Sequence, residues 1–122
     1  MSRASRRAVI AAKAEQSAAR WITAEVRYCR LSARAFATGD PVDLRRAEKA
    51  RRRAIASGDI LADDLPDLAN SNLVAFAADL IARAGRELAI ARNRIVGAWA
   101  HEHRPAHPLA WPGRQGWPRD VA

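Results

Sequence analysis

Apolar side chains recur along this chain at steps of three and four residues, the period of amphipathic helices, over three long stretches. The first, roughly Ser5 to Ala37, is dense in Ala, Arg and Glu and contains no Gly or Pro, so intrinsic propensity supports one long helix. Projected at ~100° per residue, Ala18, Trp21, Ile22, Val26, Tyr28, Cys29 and Phe36 gather on one face. Thr38-Gly39-Asp40-Pro41 then supplies a stop and a start: a glycine past the last helical residue, a capping Asp, and a Pro suited to the next first position.

A second helix is expected from about Pro41 to Ser57. Only Val42, Leu44, Ala47, Ala54 and Ile55 can face a core there, so it would bury a narrow strip and lie on a surface. Residues Ser57 to Asn70, with Gly58 and Pro66 among Asp59, Asp63, Asp64 and Asp67, read as an acidic connector holding a short helical turn. The third long pattern starts near Ser71 or Asn72 and runs to about His101. Leu73, Ala77, Leu80, Ile81, Ala84, Leu88, Ala91, Ile95, Ala98 and Trp99 share one face, the best apolar stripe in the chain. It is the expected principal core element, with the first helix packed against it. Gly85 and Gly97 mark either close crossings or kinks. From Arg104 onward Pro, His, Gly and Trp exclude regular helix, and a tail with two Trp-Pro pairs, Trp111-Pro and Trp117-Pro, can either fold back over the helices or dock on a partner. The fold class is therefore all-α: a bundle of two long antiparallel helices and a shorter basic helix over residues 1–103, followed by an irregular Pro/Trp-rich tail over residues 104–122.

Charge changes the picture from fold to function. The 122 residues carry 21 Lys and Arg against 13 Asp and Glu, a net +8, with a pI near 11.3. Such an excess favours a polyanionic partner. It is uneven: residues 1–57 hold 14 basic and 5 acidic groups, residues 58–70 hold 0 and 4, and residues 71–122 hold 7 and 4. Within the first helix a cation returns every seventh position, at Arg6, Lys13, Arg20, Arg27 and Arg34. Seven residues make nearly two turns, so these cations form a stripe ~42 Å long, opposite the apolar face. The second helix adds Arg45, Arg46, Lys49, Arg51, Arg52 and Arg53. Cations along a rigid rod can track a phosphate backbone and release its counterions, with little sequence preference. Two other readings stand beside this one. In the first, the arginines are a solvated face, with Glu48 pairing locally with Arg52. In the second, they meet acidic protein surfaces in an assembly module that makes no nucleic-acid contact.

Catalytic chemistry finds little support. His101, His103, His107 and Glu102 cluster, but ligands two apart diverge on a helix where zinc pairs usually stand three or four apart. The aspartates of residues 59–67 do not reproduce a calcium loop. Cys29 lies on an apolar face, a setting for an inert thiol. No phosphate-cradling glycine loop and no nucleophile elbow appears. No cofactor, no metal and no catalytic residue is expected. With no apolar stretch long enough for a signal peptide or a membrane span, the expectation is a cytoplasmic protein without membrane contact.

Taken together, the near-pure helix, the basic segments Arg20 to Arg34 and Leu44 to Ile55, and the lack of a catalytic motif resemble the small helical subunit of multi-subunit CRISPR effector complexes. The resemblance covers roughly residues 5–103 and is one of type, without a diagnostic signature. It implies a non-catalytic subunit of a ribonucleoprotein assembly, bound to other protein subunits and turned toward a nucleic-acid strand. On that reading Arg20, Arg27, Arg30, Arg34, Arg45, Arg46, Lys49, Arg51, Arg52 and Arg53 face the strand, while Trp111 and Trp117 face a partner.

Overall fold

A computed structural model describes residues 2–102 as three helices: α1 (Arg3–Thr38), α2 (Pro41–Asn70) and α3 (Val74–Glu102). The all-α expectation holds, with no strand among the described residues. Residues 104–122, including Trp111 and Trp117, lie outside the described residues.

The ends of α1 and α2 form as the residues dictate. Ser2 caps α1 by accepting from the Ser5 N–H. Gly39 takes the left-handed conformation, φ 65°, and donates its N–H to the Ala35 carbonyl at 2.8 Å. The Asp40 carboxylate accepts from the Val42 N–H at 2.8 Å, with Pro41 in the first turn.

Three expectations are corrected. The second helix is not short: α2 runs through the anticipated acidic connector as a single helix of 30 residues. Its buried positions explain why. Asp43, Ala47, Ala50, Ala54, Leu61, Asp64 and Leu68, with half-buried Ser57 between, recur at alternating steps of four and three along the whole helix. Pro66 removes one backbone hydrogen bond near the C-terminal end and points to solvent. The burial of Leu61 and Leu68 on either side outweighs it. Of the five positions expected to face the core, Ala47 and Ala54 do so, whereas Val42, Leu44 and Ile55 are exposed.

The principal antiparallel pair is α1 with α2, not α1 with α3. Lys13 meets Asp64, Trp21 lies against Gly58, and Arg34 meets Asp43, so numbers fall along α2 as they rise along α1. In contrast Arg7 meets Asn72, Glu15 meets Arg83, and Phe36 meets Trp99, so α3 runs parallel to α1. Two short connections impose this up-down-up order once α2 is long. In the second connection Asn72 adopts φ 57° and Leu73 donates its N–H to the Leu68 carbonyl at 2.8 Å.

The third correction concerns the core. Among the described residues α3 buries only Leu80, Ala84 and Leu88, and Ile81 and Ala98 of its expected stripe are exposed. Ala14, Ala18, Leu61, Leu68 and Leu80 make one buried cluster where all three helices meet. Tyr28, Ala50 and Ala54 make a second between α1 and α2 alone. Gly85 and Gly97 mark no close crossing, since a Cβ at either would meet nothing within 4 Å.

Candidate nucleic-acid interface

Two ion pairs set the geometry of the cationic surface. Lys13 Nζ lies 3.4 Å from Asp64 Oδ1, and Arg34 Nε lies 3.4 Å from Asp43 Oδ1. The two cations stand three heptads apart on α1, and the two aspartates stand three heptads apart on α2. In both pairs the carboxylate is buried and the cation is mostly exposed. Asp43 is further held by the Thr38 hydroxyl, which donates to Oδ2 at 2.8 Å.

That shared register decides what faces the remaining cations of the stripe. Opposite Arg27 it places Ala50, opposite Arg20 it places Ser57, and opposite Arg6 it places Ser71. No carboxylate occupies those three positions, and small side chains leave space there. Between Arg20 and Arg27 the space is a groove of about 560 Å³, lined by α1 and α2 without α3. Ala19, Ala24, Ala50 and Ala56 floor it, Ile60 borders it, and Arg53 joins the two α1 arginines from the α2 side. Among the described residues none of the three has an ion-pair partner.

The structure thus brings Arg20, Arg27 and Arg53 together and separates the others. Arg30 and Arg34 border a second groove, of about 440 Å³, where α1 meets Ile95, Trp99 and Glu102 of α3. Arg45, Arg46 and Lys49 project from α2 into solvent. Arg51 and Arg52 are engaged by Glu48: Arg51 donates from Nε at 2.9 Å and from Nη2 at 2.8 Å, and Arg52 donates from Nε at 3.3 Å. The hydrogen bonds from Arg51, more than any other effect, hold the Glu48 carboxyl at about 2. Glu48 therefore stays charged and offsets two of the expected strand-facing cations.

One cationic site falls outside the expected set. Arg3, Arg6 and Arg7, in the first turns of α1, surround a space of about 390 Å³ with Asn70, the last residue of α2, and Ser71 and Asn72 of the α2–α3 connection. Arg6 belongs to the heptad stripe. The contribution of Arg3 and Arg7 depends on the α2–α3 connection returning to the start of α1, and no local pattern announces that.

The remaining chemical candidates sit apart from this surface. Cys29 is buried, and burial pushes its thiol up to about 12 despite the nearby Arg92 guanidinium. His101 is exposed in the last turn of α3, while His103 and His107 lie outside the described residues. Among the described residues no group of three or more His, Cys, Asp or Glu is placed to hold a metal ion, and no helix is long and apolar enough to cross a membrane. No family model, curated protein or solved structure matches this chain.

Proposed function

We propose that the protein binds nucleic-acid backbone without sequence preference, as a non-catalytic subunit of a larger assembly of the kind the CRISPR small-subunit resemblance implies. One observation carries the reading: Arg20, Arg27 and Arg53 converge from two helices on one groove whose lining contains no carboxylate. Guanidinium groups held that way donate to phosphate oxygens without first breaking an internal ion pair. Arg30, Arg45, Arg46 and Lys49 extend the positive surface on both helices, and Arg3, Arg6 and Arg7 continue it past the end of the stripe. No aromatic side chain lines the groove, so its chemistry addresses phosphate and not the faces of bases.

Anisotropy of labelled single- and double-stranded oligonucleotides, read between about 50 and 200 mM salt, tests the proposal. Engagement of about six phosphates weakens binding roughly 10³-fold across that range. Arg20→Glu with Arg27→Glu should abolish binding while leaving the circular-dichroism helicity unchanged. Absence of binding at the lower salt would overturn the reading.

A further inference from the structure

The continuity of α2 through residues 57–70 places two oppositely charged sets on one face of one helix. Arg45, Lys49 and Arg53 stand four apart in its N-terminal half, and Asp59, Asp63 and Asp67 stand four apart in its C-terminal half. With Ala56 midway between the sets, all seven fall within ~120° of the helix wheel over ~33 Å. All seven are exposed, and among the described residues none of the six charged ones has an ion-pair partner.

Within a single copy this arrangement is unfavourable twice over. Like charges at i,i+4 repel along the helix in both halves. Asp67 also sits in the last turn, at the negative end of the helix dipole, where a cation would be favoured. Both costs reverse if a second α2 lies antiparallel across the first, with Ala56 on the two-fold axis. The spacing is symmetric about Ala56, so Arg45 meets Asp67, Lys49 meets Asp63 and Arg53 meets Asp59, each pair occurring twice. A two-fold interface needs such self-complementarity, residue i meeting j while j meets i. The small side chain at position 56 lets the helix axes approach. Ile60, 51% exposed, falls opposite the Arg52 stem of the second copy, which can cover it.

We infer that the outer face of α2 is a homodimer interface whose occupant is a second copy of this chain, crossing antiparallel at Ala56. The inference does not rest on nucleic-acid binding, although the two surfaces overlap: Arg53, Ala56 and Ile60 border the groove as well as this face, whereas Arg20 and Arg27 belong to α1 and are not among the paired residues. The acidic surface that meets the α2 cations is then the chain's own.

Light scattering after gel filtration of the full chain at low salt tests this, with nucleic acid removed and its absence checked by ultraviolet absorbance. The expected mass is about twice 13.4 kDa, and it should fall to the monomer as salt rises. Two charge-swapped variants sharpen the test: Arg45→Asp/Lys49→Asp/Arg53→Asp and Asp59→Arg/Asp63→Arg/Asp67→Arg. Each alone should be monomeric with unchanged helicity, and mixing the two should restore a dimer, because every pair is then opposite in sign. A monomeric wild type, a dimer that survives in either variant, or a mixture that stays monomeric would each overturn the inference. If the wild type is monomeric and only the first variant loses oligonucleotide binding, those cations belong to the polyanion instead. Oligonucleotide binding retained by the second variant keeps the two proposals separable.

Discussion

α2 presents to α1 a strip of alanines with a buried aspartate toward each end, whereas α3, with fewer charges and with the rings of Phe76 and Trp99, lies along α1 with only Leu80, Ala84 and Leu88 buried. Val74, Ile81 and Ile90 of α3 remain 43% or more exposed. The more hydrophobic helix is thus the more loosely held. Small side chains allow the α1 and α2 axes to approach along a continuous 3-4 seam, and the paired aspartates fix its register. α3 has no such seam. It is anchored near its start by Leu80 in the three-helix cluster and near its end by the edge-to-face contact of Trp99 with Phe36, whose ring centroids lie 5.9 Å apart. Complementarity with a neighbour, and not apolar content, decides which helix is central.

The largest test of that contrast compares buried and exposed aliphatic residues on the two helices. Leu68 of α2 is fully buried, so Leu68→Ala should cost about 2–5 kcal/mol in urea unfolding. Ile90 of α3 is 54% exposed, and Ile90→Ala should cost under about 0.5 kcal/mol. Comparable losses would show that α3 is covered and would dissolve the contrast.

A smaller effect is expected at the clasp, and it is asymmetric. Asp64 is buried with one oxygen on Lys13 and the other, Oδ2, without a hydrogen-bond partner. Lys13→Ala strands a desolvated carboxylate and should cost about 1–3 kcal/mol. Asp64→Asn leaves behind only a solvated ammonium, so its cost should be smaller. Adding Lys13→Ala to Asp64→Asn should then change little, and a double-mutant cycle in urea measures the difference. Equal single-mutant costs with additive behaviour would mean that the register does not depend on these pairs.

Much of this architecture can be read from residues, and the failures have physical causes. Gly39, Asp40 and Pro41 announce their caps because capping is local chemistry, whereas the start of α1 at Arg3, capped by Ser2, falls two residues ahead of the expected Ser5. The apolar face of α1 is legible too: Ala18, Tyr28 and Cys29 are buried, and Trp21, Ile22, Val26 and Phe36 half-buried. α2 misleads because Gly58 and Pro66 are breakers by propensity, while in the seam that carries the helix through them Leu61 and Leu68 alternate with Asp, Ala and Ser, which hydropathy does not mark. The arginine stripe is visible as a period, yet which members are neutralised depends on the aspartates that an antiparallel partner brings opposite. That information is tertiary. Arg20 and Arg27 stand out from Lys13 and Arg34 only after Ala50 and Ser57 are seen across from them.

The smallest expected effect concerns the glycines, and it asks whether α3 is open where α2 is closed. A Cβ at Gly85 would enter open space, so Gly85→Ala removes unfolded-chain freedom without introducing a clash. It should stabilise the protein by about 0.5–1 kcal/mol, seen as a thermal midpoint a few degrees higher. At Gly58 the same substitution gains the same helix propensity, but its Cβ would lie 3.4 Å from Trp21 Nε1, whose N–H donates to buried Glu25 Oε1 at 3.2 Å. The Trp21 ring must keep that hydrogen bond while accommodating a methyl group, so Gly58→Ala should gain less than Gly85→Ala or nothing. If Gly85→Ala instead lowers the midpoint, some surface lies against α3 at Gly85, and the exposure of Ile81 and Val74 on the same side of that helix marks where it rests.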